Sequence, residues 1–574
     1  MVKLFECVKK LTGFYLLLLT FLLPLKFAGL AIMAETTSYF PTELWEYIFI
    51  NFPNNSFGIF SGIGLIAAVI SYGYSTKKSF MIILWISLSF VSISGIFNAS
   101  TLDYVYLSLG HIWGVISYIL SMMLYFRNDK KNLQLFYNII TISAILTLLI
   151  GVYQYFIGFD EQIEFYQSQA RSSFEVDISN KLMERRIYST FGGCNVYAGY
   201  LLLIGGIIFL RINKFAQNFE PQKISQWCFI ILTALLYLFV IANTGSRAVI
   251  AGIGGAMVLL IFLSKISGKL KISFGLLLIF LGGAGIWLTQ FMGRNFASFT
   301  ERLGYFRSSL IMLYNHIFLG SGWGDFMVDN QKYRFIISNE AARDPHNLFL
   351  TFGSQAGIFA MLIVMACFIV PLIITIINYR KNFNKEIGII IFSLSAFLIH
   401  AMLDVDYQIP AIFALSGAIF ASLNIENERV LSESKYLKQF LLFLIALIGF
   451  LSFRVSFYNN KAEKTYDDFL NSINNQSIIF EIEKKYGEVE KIKPYSPFHK
   501  IKMFQYLSYY YNGRVEFLDQ KALPYLLDAI KKSPERSGYY RYLSDYYFQV
   551  KNDNENGQKY LKKSFELAPY TEKL

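Results

Sequence analysis

Cysteine is scarce in this sequence, with four residues among 574. All four lie in or beside apolar stretches, and none follows Cys367. This scarcity excludes a disulfide-stapled scaffold and leaves no zinc-finger spacing. Histidines, cysteines and carboxylates also form no cluster at metal-ligand spacing, so we expect a protein that needs no metal and no cofactor.

Charged residues are also few, at 16% of the chain against 54% hydrophobic residues, and the mean hydropathy is +0.41. The apolar residues occur in blocks of roughly 18 to 25, the length that crosses about 30 Å of hydrocarbon. One block, from Leu348 to Ile377, contains no charged residue. The pattern predicts an all-α, polytopic helical membrane protein. The basic, apolar start of the chain is interpreted as a first span rather than a cleaved signal peptide.

The basic residues are dispersed, although the formal net charge is +12. They form small clusters between the apolar blocks, which is typical of topology signals, and this argues against a nucleic-acid partner. Thirteen candidate spans can be counted, beginning near Leu11, Ser56, Phe80, Val105, Leu133, Ile187, Trp227, Ala248, Ile272, Leu348, Ile387, Ile409 and Gln439.

Alternate connections between the spans differ in charge. The short connections at 35–53, 98–103 and 403–408 contain no lysine or arginine, whereas the intervening ones are basic. Basic connections stay in the cytoplasm, so the N-terminus is predicted to be cytoplasmic and the C-terminus extracytoplasmic. Residues 158–186, the loop 291–346 and the tail after Tyr458 are then outside.

The tail is hydrophilic and repeats itself. The stretch YLLDAIKKSP (525–534) returns as YLKKSFELAP (560–569), and YLSYYY (506–511) returns as YLSDYY (542–547). A period near 34 residues with a closing proline is typical of tetratricopeptide repeats, which stack into a curved binding surface. The alternative is an irregular helical cap.

Conspicuous basic residues gather on the predicted outer side. Arg247 lies in NTGSR, between two closely spaced spans, and is either a pyrophosphate ligand or a membrane anchor. Arg302 and Arg307 lie in an amphipathic segment of the outer loop, where they contact either a pyrophosphate or lipid headgroups. His346 opens an apolar block and can accept a proton near neutral pH, or it caps the helix.

Polar residues near the same surface include Asn195, Asp344, His400, Asp404 and Asp406. The two aspartates of HAMLDVDYQIP share a tight turn. They could orient an imidazole, hold an arginine, or be solvated turn residues.

Five motifs occur in a fixed order: STFGGCNVYAGYL (189–201), NTGSRA (243–248), RLGYFRSSLIMLYNHIFLGSGWGDF (302–326), HNLFLTFGSQAG (346–357) and HAMLDVDYQIPAIFAL (400–415). Together they resemble the O-antigen ligase and polymerase superfamily of bacterial envelopes. The resemblance spans roughly residues 187–425. It maps the loop histidine of the family onto His346, and its arginines onto Arg247 and the pair Arg302 and Arg307.

The resemblance implies a GT-C-like, metal-independent, inverting glycosyltransferase in the bacterial inner membrane. Its donor would be a glycan on undecaprenyl pyrophosphate, and its acceptor a glycan, a lipid or a protein. Asn195, Asp404 and Asp406 are expected to bind substrate beside the arginines. Membrane lipid and a protein partner on the repeats are further expected partners.

Three regions are predicted: N-terminal spans (1–186), a ligase-like membrane core (187–456) and the repeat domain (457–574). Alternatives are a polysaccharide polymerase or a protein O-oligosaccharyltransferase of the same superfamily. The GCN and IFA elements, at 193–195 and 358–360, depart from the ligase pattern. A non-enzymatic polysaccharide transporter is the alternative from another class, although the membrane region has no internal symmetry or mid-span carboxylate.

Overall fold

The computed structural model describes residues 2–29, 35–74, 79–169, 182–217, 224–277, 297–335, 342–423, 425 and 434–571. The described residues form helices and no strand, which confirms the predicted all-α class. The predicted span that begins near Ile272 lies largely outside these residues.

The first ten helices are α1 (Val2–Lys26), α2 (Leu44–Phe49), α3 (Ser56–Tyr72), α4 (Phe80–Val91), α5 (Leu102–Asn128), α6 (Lys130–Tyr153), α7 (Phe159–Gln169), α8 (Cys194–Gln217), α9 (Ile224–Asn243) and α10 (Arg247–Leu263). The next six are α11 (Ala297–Asn315), α12 (Phe326–Tyr333), α13 (Leu348–Ala356), α14 (Ile358–Asn382), α15 (Lys385–Ala401) and α16 (Pro410–Ser422). The last six are α17 (Lys435–Asn474), α18 (Ile479–Ile492), α19 (Phe498–Tyr510), α20 (Leu523–Lys532), α21 (Ser537–Gln549) and α22 (Asn554–Leu567).

Six helices in the described part of the chain are long and apolar enough to cross a membrane. They begin at Lys3, Leu102, Lys130, Cys194, Ile358 and Lys435. Five shorter apolar helices accompany them, namely α3, α4 extended to Ile96, α9 from Trp227, α10 and α16. These helices account for most of the predicted blocks, and the count of thirteen spans stays a prediction.

The centre of the bundle is formed by α5 and α16. Every residue of α16 is buried, as are nineteen of the residues of α5. Beside them, α3 and α17 approach closely because a Cβ at Gly62 would lie 2.6 Å from the carbonyl oxygen of Gly449. The Ser452 hydroxyl donates to the carbonyl of Gly58 at 2.8 Å. Small residues that let backbones touch are a common means of packing helices in membranes.

One end of the bundle collects the predicted outer connections, and we call it the site end. The amide of Ala411 at the start of α16 donates to the carbonyl of Phe27 just after α1, at 3.1 Å. The amide of Gly192, just before α8, donates to the carbonyl of Ala28 at 3.1 Å. The chain segments after α1, before α8 and before α16 therefore meet at this end, and the side of the membrane on which it lies stays a prediction.

At the opposite end of the bundle, basic residues of one helix contact residues of a neighbouring helix. Lys214 near the end of α8 pairs with Glu386 at the start of α15, at 3.2 Å. Lys265 just after α10 lies over the ring of Phe383 just after α14, at 4.2 Å. Both lysines belong to the basic connections that the charge pattern predicts to be cytoplasmic, and the orientation of the bundle stays a prediction.

The predicted span that begins at Leu348 is wrong at its start. The chain forms a short helix, α13, and then breaks at Gly357, which has φ +90°. A Cβ at Gly357 would lie 2.3 Å from the carbonyl oxygen of Phe318. Glycine is required there, and the membrane-length helix begins only at Ile358. The span predicted from Ile187 likewise begins later, at Cys194.

The tail joins the bundle through α17, a single helix of 40 residues. Its first half packs on α3 and α5, and its second half contributes Tyr466 and Phe469 to a separate apolar core with α18 to α21. The repeated sequences fall on corresponding helices, α19 with α21 and α20 with α22. The tail is therefore helical, and its assignment as tetratricopeptide repeats stays a prediction.

Candidate active site

Asp404 lies between a cation and an imidazole at the site end. Its Oδ2 is 3.1 Å from Nη2 of Arg302, and its Oδ1 is 4.0 Å from Nδ1 of His346. The Asp404 side chain is buried, whereas Arg302 and His346 keep 19% and 27% of their side-chain surface exposed. One carboxylate thus faces both the predicted base and a predicted arginine, which are far apart in sequence.

His346 occupies an unusual backbone conformation. Its φ is +56°, in the left-handed region that costs a non-glycine residue roughly 1 kcal/mol or more. Its amide donates to Oδ1 of Asp344 at 2.7 Å. The next residue, Asn347, caps α13 by accepting from two of its amides and donates to the carbonyl of Met402 at 3.0 Å. These bonds hold the imidazole at the turn beside Asp404.

The ring of Tyr305 stacks on the imidazole of His346, with centroids 5.6 Å apart and planes inclined by 23°. Arg302 and Tyr305 are three residues apart on α11, so they share one face of that helix. The single helix face therefore supplies a cation to Asp404 and a platform to His346. Tyr305 was not predicted from the sequence as a site residue, although its spacing of three residues from Arg302 places both on one helix face.

Asp344 is buried behind the histidine. Its Oδ2 lies 3.2 Å from the hydroxyl oxygen of Thr351, which is 2.9 Å from the hydroxyl oxygen of Tyr407. Burial raises the pKa of Asp344 to about 7, although its hydrogen bond from His346 acts in the opposite direction. Asp344 thus couples the loop of the histidine to the turn that contains Tyr407.

Asp406 forms a fully buried pair with His400, with Nδ1 and Oδ2 2.6 Å apart. Asp404 lies between them in sequence, and its Oδ1 accepts from the amide of Val405 at 2.9 Å. The pair therefore fixes the turn that presents Asp404. Asp406 was predicted to bind substrate, and the structure places it in the interior of that turn.

The second predicted cation site is the turn before α10. Arg247 is the exposed first residue of α10. Arg186, which the sequence reasoning missed, donates from Nε to the carbonyl of Thr244 at 2.9 Å and from Nη2 to Oδ1 of Asn195 at 2.8 Å. Asn195 therefore holds an arginine that braces the Arg247 turn. The basic pair Arg185 and Arg186, at the edge of a predicted outer segment, was the available signal.

The two groups of polar residues lie near each other. The first turn of α8 contacts both: Asn195 accepts from Arg186, and a Cβ at Gly199 would lie 2.5 Å from Oδ1 of Asp406.

Arg307 lies elsewhere on α11. Five residues separate it from Arg302, which turns it by roughly 140° around a helix of 3.6 residues per turn. It is exposed, and its guanidinium lies over the ring of Phe335 at 5.5 Å. The structure therefore brings Arg302, His346 and Asp404 together and leaves Arg307 on a different face.

In the described ranges, no group of three or more histidine, cysteine or acidic residues could hold a metal ion. Metal independence of the chemistry stays a prediction.

In a comparison with protein families, residues 232–365 match the family model described as O-antigen ligase. This stretch includes Arg247, Arg302, Arg307 and His346, and it ends before Asp404. No curated protein matches the chain. The match covers a minority of the chain, and it supports a bacterial membrane protein with an O-antigen ligase-like, glycan-transferring function.

Proposed function

We propose that this protein transfers a glycan from undecaprenyl pyrophosphate to an acceptor outside the cytoplasmic membrane. The observation that carries the proposal is the position of Asp404, 3.1 Å from the Arg302 guanidinium and 4.0 Å from the His346 imidazole. A base, its carboxylate partner and a cation for a phosphate leaving group are the parts that this reaction needs.

His346 acts as the general base in this proposal. Its Nδ1 faces Asp404, so we assign the imidazole proton to Nδ1 and the basic lone pair to Nε2. Nε2 can then accept the proton of an acceptor hydroxyl, and the negative charge of Asp404 stabilises the imidazolium that results. The stacked ring of Tyr305 limits rotation of the imidazole.

The bonds balance without a cofactor. The acceptor oxygen attacks the anomeric carbon of the donor glycan while its proton passes to His346. The bond from the anomeric carbon to the pyrophosphate oxygen breaks, and its electron pair leaves with undecaprenyl pyrophosphate. A single displacement of this kind inverts the anomeric centre.

The arginines take up the charge of the leaving group. A guanidinium binds phosphate oxygens through paired hydrogen bonds, which a point charge cannot reproduce. Arg302 is already beside the proposed base, and Arg247 is exposed on the neighbouring turn, braced by Arg186 and Asn195. Arg307 and Asp406 lie outside the group formed by Arg302, His346 and Asp404. They contact the substrate, as predicted, only if the donor extends beyond that group.

The proposed orientation puts the site end outside the cytoplasm. Basic residues such as Lys214 and Lys265 lie at the opposite end, and basic connections are retained in the cytoplasm. The donor glycan would then meet His346 after its lipid carrier has crossed to the outer leaflet. The repeat domain would stand on the same side, where it could contact an acceptor or a protein partner.

The test is a transfer assay with purified protein in lipid, a lipid-linked oligosaccharide and an envelope acceptor fraction. We expect release of undecaprenyl pyrophosphate together with a glycosylated acceptor in wild type, and release and transfer slower by roughly 10²–10⁴-fold in His346→Ala. A protein that moves the intact donor across vesicles without releasing the carrier would be a transporter, and the proposal would fail.

A further inference from the structure

A cavity of about 250 Å³ lies between the starts of α3, α5, α13 and α16. Asp344 and Thr351 line it, and we call it the Asp344 cavity. Asp344 is shared between this cavity and the proposed active site, since its Oδ1 accepts from the amide of His346 at 2.7 Å. The lining therefore adjoins the turn that carries the proposed base, although it does not include His346 itself.

The walls combine aromatic rings with polar groups. Tyr104, Trp323 and Phe352 contribute rings, while Gln355 and Arg343 contribute an amide and a guanidinium. A sugar ring presents an apolar face of C–H groups and an edge of hydroxyls. Aromatic faces and a few convergent hydrogen-bonding groups match both surfaces.

The size of the cavity restricts its ligand. Pockets that take drug-sized molecules span roughly 300–1,000 Å³, so a cavity of about 250 Å³ accommodates one small unit. A folded polypeptide segment is too large for this cavity. One sugar ring, with the rest of its chain outside, fits.

The repeat domain supports one wall. The hydroxyl of Tyr104 donates to Glu35 at 2.6 Å, and Arg536 of the repeat domain pairs with the same carboxylate at 3.1 Å. The Arg536 guanidinium also lies over the rings of Tyr104 and Phe498, at 5.8 and 4.8 Å. The position of Tyr104 thus depends on contacts from the tail.

We propose that the Asp344 cavity binds the terminal sugar of a glycan acceptor and presents its hydroxyl to His346. This inference rests on the proposed function and narrows it, because it commits the acceptor to a carbohydrate rather than a protein. The donor occupies the arginine side of His346, and the acceptor sugar occupies the side of Asp344.

The experiment fills the cavity. Ser108 lines it from α5, half-buried, and has no part in the proposed catalytic group. Ser108→Phe should raise the KM for the glycan acceptor fraction, isolated from a strain lacking this protein, by about tenfold or more, as expected when the ligand loses its place. The KM for the lipid-linked donor should stay unchanged. Leu102→Phe is the matched control, because Leu102 is an exposed residue of α5 outside the cavity lining, and it should behave as wild type.

A second variant tests the inference independently, in case Ser108→Phe misfolds. Arg343 is exposed at the rim of the cavity, so Arg343→Gln should fold normally and raise the acceptor KM without changing the donor KM. An unchanged acceptor KM in both variants, with active protein, would overturn the inference.

Two outcomes separate this inference from the function on which it rests. Wild-type protein that transfers the glycan to a protein hydroxyl but not to the glycan fraction overturns the acceptor assignment and leaves the proposed function intact. Wild-type protein that releases no undecaprenyl pyrophosphate with any acceptor overturns both.

Discussion

Nδ1 of His346 lies 4.0 Å from Oδ1 of Asp404, within ion-pair distance and beyond a hydrogen bond. The same carboxylate makes a closer contact with Arg302, at 3.1 Å. Asp404 is therefore shared, and its interaction with the imidazole strengthens when His346 takes a proton and becomes charged. Apo active sites often have such long contacts, which tighten as the reaction proceeds.

Replacing the base should remove turnover and spare donor binding. His346→Ala should lower single-turnover transfer by roughly 10²–10⁴-fold, the usual contribution of a positioned base. Donor affinity, measured with the lipid-linked oligosaccharide, should remain near wild type because the arginines are untouched. Normal turnover in this variant would refute the assignment of the base.

Removing the charge of Asp404 should separate chemistry from binding. Asp404→Asn keeps the shape but no longer stabilises the imidazolium, so turnover should fall by about tenfold or more. Arg302 loses its anionic partner in the same variant, so donor affinity should hold or increase. Kinetics in reconstituted protein would measure both, and weaker donor binding with intact turnover would contradict the shared role.

Arg186 is a positioning residue in our interpretation. Arg186→Lys cannot keep the bonds to Thr244 and Asn195 together, so the KM for the donor should rise by roughly tenfold, with a smaller change in kcat. Arg185→Lys is the matched control, because Arg185 instead pairs with the exposed Asp160. Equal effects of the two substitutions would argue for a general loss of positive charge.

The buried Asp344 should make stability depend on pH. Its pKa is raised to about 7, above the value near 3.9 expected in an unfolded chain, so the folded state holds the proton more tightly. Stability from this group is present below about pH 4 and is lost as pH rises to about 7, at up to roughly 1.4 kcal/mol per pH unit.

Asp344→Asn removes this titration. The melting temperature of wild type in detergent should therefore fall, relative to the variant, between about pH 4 and 7. Parallel melting curves across that interval would show that Asp344 does not titrate there.

Gly357 should not tolerate a side chain. Gly357→Ala adds a Cβ against the Phe318 carbonyl at a φ of +90°, so it should lower the melting temperature and the yield of inserted protein. Gly538→Ala is the matched control, because nothing lies within 4 Å of its Cβ and alanine favours its helix. An equally stable Gly357→Ala would show that the break before α14 is not required.

The sequence predicted the helical membrane class because blocks of apolar residues leave few alternatives in a bilayer. It also predicted that His346 and the Asp404 turn lie on one side, since both adjoin connections on the same side of the charge alternation. The start of the span at Leu348 was wrong because hydropathy does not register the backbone break at Gly357.

Other parts of the site could not be predicted from one sequence. That Asp404 faces both Arg302 and His346 depends on how α11 lies against α13, and no local pattern encodes that packing. Arg186 was missed because the turn that it braces, through the backbone carbonyl of Thr244, lies far along the chain. The Asp344 cavity is lined by several helices and loops that are distant in sequence, and it has no sequence signature.

The helix α17 runs for 40 residues from the bundle into the helical tail without a break. A rod of this kind, about 60 Å long at 1.5 Å per residue, allows far less swing than a flexible tether. An acceptor or partner bound to the tail would therefore be held at a fixed orientation and distance relative to His346. The rate at which it meets the active site would then depend on this geometry rather than on the effective concentration that a flexible linker produces.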